Sequence, residues 1–282
     1  MTAMHRQHIP SEDLLRGEAT LAGEDARHLR DVLRLREGAR VEAFDGHGNT
    51  RAMSVAETAK RHIRLVASGE ALPHAPPAVR MTLFTALFKP SRMDWLIEKA
   101  VELGAWHVVG VATARSVVKV ENAQRWRRIA REALRQCGGA WEPEMRTLDF
   151  AAFCGEVAAM TQRGGAVWFG DLSKGAPLLF SHQPSAFSLH ECAWCVGPEG
   201  DFTPEEMEAL RKAGARGVSL GPRVLRSETA GIFGLCALAL QSPMSQSPEV
   251  PMSRGALDAG TLGHRDIGVM GHWDIGTRGT TS

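Results

Sequence analysis

Apolar and polar positions follow two regimes along this chain, and the change falls near Pro73–Pro77. Before it, short stretches alternate with a period of two. Val41–Phe44, Arg51–Glu57 and His62–Ala67 read as strands, and Asp45-Gly46-His47-Gly48-Asn49 is a strong turn signal between the first two. Ser11–Leu21 is expected to supply further strands. In Asp25–Leu35, by contrast, Ala26, Leu29, Val32 and Leu33 recur at helical spacing and predict a short amphipathic helix. A small β-barrel with one helix is the natural assembly for residues 1–72. The run Pro73-His-Ala-Pro76-Pro77 stiffens the chain and predicts a linker over 73–78.

From Val79 the patterns of strand and helix alternate. Val79–Leu87 is strand-like, and Lys89-Pro90-Ser91-Arg92 reads as a loop. Met93, Leu96, Ile97, Ala100 and Val101 mark a helix that Gly104 can stop. His107–Val111 is a buried strand, and Trp126, Ile129, Ala130, Ala133, Leu134 and Cys137 form the inner stripe of a helix ended by Gly138-Gly139. Phe150–Met160 reads as a helix and Val167–Phe169 as a strand, with 171–190 less regular. Ala193–Val196 is the next strand. Thr203-Pro204-Glu205-Glu206 is a capping box with Pro at the first helical position. Val218–Leu220 is a short strand and Glu228–Leu240 a buried helix. Such alternation over 79–244 predicts an α/β domain with a mostly parallel sheet. Residues 245–282 are rich in Ser, Pro, Gly and Thr without apolar periodicity, so disorder is expected there.

Composition narrows the class. Hydrophobic residues make up 44% and charged residues 23%, as in soluble globular chains. No apolar run reaches about 18 residues, so no membrane helix is expected. The first ten residues lack the apolar centre of a signal peptide, and five Cys is an odd count that fits reduced thiols. The expectation is a cytoplasmic protein. Net charge is only +1, but arginines cluster locally at Arg27, Arg30, Arg34, Arg36 and Arg40, and again at Arg125, Arg127, Arg128, Arg131 and Arg135. Both clusters read either as solvated helix faces or as phosphate contacts. Cys192-Ala-Trp-Cys195 has redox or zinc spacing, but no second Cys pair exists and an apolar strand lies between the thiols. A structural role is expected, and no metal.

The chemistry concentrates between Ala193 and Leu240. Two apolar strands end in Gly/Pro loops, Gly197-Pro198-Glu199-Gly200 and Leu220-Gly221-Pro222-Arg223-Val224-Leu225-Arg226, and each loop feeds a helix. Glycine lets the backbone approach a ligand, and the carboxyl ends of α/β strands are where such ligands bind. No Gly-Lys-Ser/Thr accompanies the glycines, so a phosphate-gripping lysine of that kind is absent from the sequence.

Four ordered blocks carry a resemblance. They are His28-Leu29 with Val32–Leu35, Arg92–Gly104, Val196–Gly200, and Ser219–Ala230. On them the chain resembles the RsmE family of 16S rRNA uridine N3-methyltransferases, members of the SPOUT superfamily. The resemblance covers about 1 to 240 and implies an N-terminal PUA-like β-barrel, a C-terminal α/β trefoil-knot domain and a homodimer. It implies S-adenosylmethionine as methyl donor, bound by Gly197, Pro198, Glu199, Gly200, Leu220, Gly221, Val224, Leu225, Arg226, Thr229 and Ala230. The substrate it implies is 16S rRNA of the small ribosomal subunit, with the target uridine at position 1498. Arg226 is the candidate for supporting charge on the uracil carbonyls or holding a phosphate, and Glu228 for orienting Arg226 or accepting a proton. His28, Arg30, Arg34, Lys89 and Arg92 are candidate RNA contacts, with Arg30 and Arg34 expected on one helix face. Two positions depart from the family pattern: Arg135 stands where a Glu is usual, and Gly139 where an Arg is common. Another SPOUT methyltransferase, or an RNA-binding module without catalysis, are the alternatives.

Overall fold

The computed structural model describes residues 4–116, 123–179 and 190–241, and the tail 245–282 lies outside the described residues. The first lobe contains β1 (His5–His8), α1 (Ser11–Arg16), β2 (Glu18–Ala22), α2 (Gly23–Arg27) with a π-helical turn His28–Val32, β3 (Arg40–Phe44), β4 (Asn49–Thr58) and β5 (His62–Pro73). Its strands pair in the order β1-β3-β4-β5-β2, antiparallel except for the parallel β1–β3 contact. The period-two alternation turns Val41, Met53, Ile63 and Leu65 inward against Leu14 and Leu29, all fully buried.

Two expectations for this lobe need correction. Ser11–Leu21 is not strand throughout. Pro10 occupies the N-cap, Glu12 and Asp13 fill the first helical turn, and Gly17 at φ 83 closes α1 with its N–H on the Asp13 carbonyl. Arg51 donates to the carbonyls of Leu14 and Leu15 at 3.0 and 2.9 Å, satisfying the end of this short helix. Asp25–Leu35 is not one regular helix either. It widens into the π turn, where Leu33 N–H donates to the His28 carbonyl at 3.0 Å, and Arg34 lies at φ 54. Arg30 and Arg34 therefore do not share a helix face. Arg30 is spent on Asp31 and on the carbonyls of Ala59 and Lys60.

The second lobe contains β6 (Arg80–Ala86), α3 (Pro90–Glu102), β7 (His107–Ala112), α4 (Ala123–Cys137), β8 (Glu144–Asp149), α5 (Phe150–Gln162), β9 (Ala166–Gly170), β10 (Glu191–Val196), α6 (Pro204–Lys212), β11 (Arg216–Val218) and α7 (Ser227–Gln241). Among the described residues its sheet has the order β11-β9-β10-β6-β7-β8, and every pairing is parallel. One face packs α3, α4 and α7 through Leu83, Leu96, Trp126, Trp194 and Leu235. The other packs α5 and α6 through Phe84, Phe153, Phe169 and Leu210. Being covered on both sides, β6 and β10 are buried along nearly their whole length, with Thr82 and Thr85 the polar residues inside β6. Strand β8 has no counterpart in the sequence reading: it is an edge strand with only Met145 buried, so it carries little apolar signal. The loop expected at Lys89–Arg92 is also shorter than predicted. Lys89 is the N-cap and Pro90 the first residue of α3, which places Ser91 and Arg92 in its first turn. No described helix is long and apolar enough to cross a membrane.

Several contacts join the lobes. Arg6, largely buried, lies 4.7 Å over the Phe44 ring, pairs with Glu42 and donates to the carbonyls of Leu134 and Gly139 at the end of α4. Gly48, at φ 90, meets Trp141 so closely that a Cβ there would lie 2.3 Å from the indole. Arg135 bonds Asp25 across the boundary at 2.7 Å.

Candidate active site

A cleft opens at the carboxyl ends of β9, β10 and β11, where the strand order doubles back. Gly170, Asp171 and Leu172 line it from β9, Val196 to Glu199 and Asp201 from β10, and Val218 to Gly221 with Arg223 to Leu225 from β11, with Ser227 and Ala230 of α7 closing the end. This is the crevice that open α/β sheets reserve for ligands. Its walls are mostly main chain and aliphatic carbon. The Ser219 hydroxyl accepts from Gly221 N–H at 3.3 Å, and Gly221 sits at φ 128, a conformation glycine adopts readily. A Cβ at Gly221 would meet no protein atom within 4 Å, so the loop leaves room beside its backbone.

Local chemistry explains how these loops are held. The capping box predicted at Thr203 forms: its hydroxyl accepts from Glu206 N–H at 3.2 Å, and Glu206 accepts from Thr203 N–H at 2.9 Å. The other Glu206 oxygen accepts from Ala114 N–H at 2.8 Å, tying α6 to the end of β7. Asp201 takes a left-handed φ of 61 and its carboxylate accepts from Phe202 N–H at 2.8 Å; burial nevertheless raises its pKa. For Asp171 burial acts in the same upward sense. Hydrogen bonds from Ser173 and the Arg211 guanidinium, the latter at 2.6 Å, outweigh it and hold the carboxyl below its usual range.

On the opposite side, Arg92 reaches back from α3. It donates to Glu199 at 2.6 Å and lies 3.8 Å from Glu228, so one guanidinium faces a carboxylate from each of the two loop regions. The Glu228 side chain is 13% exposed, and its second oxygen is buried without a hydrogen-bond partner among the described residues. Arg226 does not pair with Glu228. It is exposed just before α7, and its guanidinium has no partner among the described residues.

The structure brings together Gly197, Pro198, Glu199, Leu220, Gly221, Val224, Leu225 and Ala230 on the cleft wall. Gly200, Arg226 and Thr229 are adjacent in sequence but outside that lining. Sequence reasoning missed Asp171 and Leu172, the polar residues Asp201, Ser219, Arg223 and Ser227, and the strand-end residues Gly170, Val196 and Val218. The signal for the first two was available, since they follow the strand Val167–Phe169 as the other loops follow theirs. Of the RNA candidates, Lys89 and Arg92 lie at the start of α3, while His28, Arg30 and Arg34 belong to the first lobe. Burial pushes the Cys192 thiol up to about 12 and raises Cys195 well above the ordinary thiol range, so both stay protonated inside the sheet. The departure at Arg135 has a structural partner in Asp25, and Gly139 offers its carbonyl to Arg6.

Comparison with known proteins agrees with this architecture. Residues 75–239 match the RNA methyltransferase domain family, and residues 21–67 match the RNA methyltransferase PUA domain family. The chain is 27% identical over 242 residues to ribosomal RNA small subunit methyltransferase E of Bacillus subtilis, covering 80% of this chain and 91% of that protein. It is 30% identical over 239 residues to the Mycobacterium bovis protein of the same name, covering 79% and 86%. The crystal structure of the Neisseria gonorrhoeae enzyme of that name, bound to S-adenosyl methionine, superposes with a TM-score of 0.73 at 25% identity, covering 85% of this chain and 98% of the other. The fold class is thus a PUA-like barrel followed by a SPOUT α/β-knot domain. With its cleft at the switch point of that domain, the chain belongs to the ribosomal RNA small subunit methyltransferase E family.

Proposed function

We propose that the protein methylates N3 of one uridine in 16S rRNA of the small ribosomal subunit, at position 1498, using S-adenosylmethionine. The observation that carries this reading is the cleft itself, together with the family that shares it. Its aliphatic walls, Val196, Leu220, Val224 and Leu225, and the main-chain donors and acceptors between them suit a flat nucleoside. The open backbone at Gly221 and the Glu199 carboxylate on the cleft wall suit a cationic ligand with hydroxyls. When bound, S-adenosylmethionine supplies an electrophilic methyl on its sulfonium.

The protein's own work is positioning and charge. Uracil N3 carries a proton and attacks only as that proton leaves, so negative charge grows on the flanking carbonyl oxygens. Arg226, exposed in the loop between the cleft residues Leu225 and Ser227, is the residue we assign to that charge or to an adjacent phosphate. Glu228, 3.8 Å from Arg92, orients that guanidinium in this reading and is the carboxylate we assign to taking the proton. In-line geometry supplies much of the remaining acceleration. The protein acts as a homodimer in this reading. Helices α3 and α7 pack on each other and carry the exposed apolar side chains Trp95 and Leu240, and Val224 at the cleft is 77% exposed.

Mass mapping of 16S rRNA from a strain lacking the gene tests the reaction. Loss of 3-methyluridine at that position, restored by the wild-type gene, supports it. Persistence of the mark, or loss of a methyl from a different atom, overturns the N3 assignment. Sedimentation equilibrium tests the dimer, and a monomer at micromolar concentration would remove it.

A further inference from the structure

The strongest charged surface lies away from the cofactor cleft. A trough of about 830 Å³ runs between the first lobe and α4. Arg27 and His28 line one wall, and Arg127, Arg128, Arg131 and Arg135 the other. Carboxylates are present too, but most are already matched. Asp25 and Glu132 share Arg135, at 2.7 and 3.5 Å, Asp31 takes Arg30, and Arg131 is matched by Glu142 at 2.8 Å, which leaves Glu24 as the carboxylate of the lining set against three further arginines. Arg27, Arg127 and Arg128 are exposed and hold no side-chain hydrogen bond or close ion pair among the described residues. The unmatched charge of the trough is therefore positive, although the whole chain is nearly neutral.

A second hollow, of about 470 Å³, continues from the first and shares Arg127 and Arg131 with it. Trp106 and Trp141 lie in its wall, half-buried, with ring centroids 5.3 Å apart and planes tilted by 50°. One side of each indole is engaged by the protein: Arg80 lies 5.3 Å over the Trp106 ring, and Trp141 donates to the Ala75 carbonyl at 3.2 Å and packs on Gly48. What remains exposed faces the hollow, which Glu142 and Glu144 also line. Unpaired guanidinium groups leading to an aromatic platform form the arrangement that holds single-stranded nucleic acid: phosphates meet the cations and an unstacked base lies on a ring.

We propose that this face is a second RNA-binding surface. The trough holds phosphates of a single-stranded rRNA segment flanking the target, through Arg27, Arg127 and Arg128. The adjoining hollow receives one unpaired base against Trp106 and Trp141. The proposal rests on rRNA as substrate but not on which atom is methylated. It also gives α4 a role: one side of that helix builds the core through Trp126, Ala130 and Leu134, and the other is reserved for RNA. The site holds the strand while the cleft addresses the base.

Fluorescence anisotropy with a labelled single-stranded 16S rRNA fragment, measured from low to high salt, tests the first half. The R127E/R128E variant should bind at least about tenfold more weakly. The slope of log affinity against log salt should fall by about 0.7 for each phosphate no longer neutralised. Calorimetry should show unchanged S-adenosylmethionine affinity, and circular dichroism an unchanged melting curve. Wild-type RNA affinity and slope in a folded variant would overturn the trough. If R127E/R128E melts early, Arg27→Glu provides the same test from the other lobe. For the second half, RNA carrying 4-thiouridine should photocrosslink to peptides containing Trp106 or Trp141. Crosslinks confined to the Leu220–Glu228 region would overturn the aromatic subsite. A duplex competitor that displaces the fragment as well as a single strand does would overturn the single-strand assignment. Mass mapping of the methylated nucleotide is a separate measurement, so failure of the N3 reading leaves these outcomes interpretable.

Discussion

The cofactor cleft and the arginine trough meet ligands in opposite ways. The cleft is narrow, and its walls are loop backbone and aliphatic side chains fixed at the ends of three buried strands. The trough is wide and lined by long charged side chains that stand on exposed helix faces. Main-chain groups at strand ends have little freedom, so they select shape and hydrogen-bond pattern. Arginines on a helix surface adapt to a backbone of any sequence and respond to salt. On the functions proposed above, recognition of the small ligand and grip on the polymer are built from different parts of the chain. They should therefore fail independently.

The sharpest break should come from Arg226→Ala. Single-turnover methylation should fall by about 100-fold or more, the scale for removing one group that stabilises transition-state charge. S-adenosylmethionine affinity should stay near wild type, because Arg226 lies outside the cleft lining; unchanged RNA affinity assigns it to the carbonyl charge, and weaker RNA binding to a phosphate. A near-normal rate under saturating conditions would remove Arg226 from the chemistry. Gly48→Ala attacks the other region. Its φ of 90 and the indole 2.3 Å from a new Cβ should cost about 2 kcal/mol or more in denaturant unfolding, and should displace Trp141. RNA affinity should drop while cofactor affinity holds; equal loss of both would show that the regions are coupled.

Arg92→Gln is a smaller perturbation, aimed at the bridge between the two loop regions. Calorimetry should show about tenfold weaker S-adenosylmethionine binding, or about 1.4 kcal/mol. Arg92→Lys should recover part of it. No change in affinity would reduce the Glu199–Arg92–Glu228 chain to a surface feature, where exposed pairs contribute about 1 kcal/mol at most. The smallest expected effect is Asp171→Asn, at about 1 kcal/mol near neutral pH. Asp171 has a lowered native pKa, so its contribution is present above the ordinary carboxylate value of 3.8 and is lost as pH falls through the native one. The stability gap between wild type and variant should close on acidification. A gap that widened would contradict the sign.

Much of the fold is legible in the sequence because periodicity and punctuation agree. Thr203-Pro204-Glu205-Glu206 states its own helix start, and Gly104 at φ 77 follows the helix it is expected to end. The failures are local. Pro10 and Gly17 bracket a helix of only six residues, too short to show a period, so its sequence reads as strand. Strand β8 is amphipathic in neither sense because it sits at a sheet edge. At the cleft, two of the three loops announce themselves through their glycines. The third, Gly170-Asp171-Leu172, has one glycine at the strand end and no Gly/Pro repeat, so its only signal is that it follows the strand Val167–Phe169.

The sequence by itself determined the two-part architecture, the run of parallel strands and the glycine loops that open the cleft. These depend on neighbours a few residues apart, whose spacing is written in the chain. It also raised both readings of the basic helix without choosing between them. Only the tertiary structure decided which arginines are engaged. Arg30 is consumed by Asp31 and the Lys60 carbonyl, Arg135 by Asp25, and Arg92 by Glu199, 107 residues away. Arg127 and Arg128 hold no such bond among the described residues. The physical reason is that a guanidinium's availability depends on the carboxylates and carbonyls within about 3 Å of it. Those neighbours come from distant parts of the chain that folding brings together.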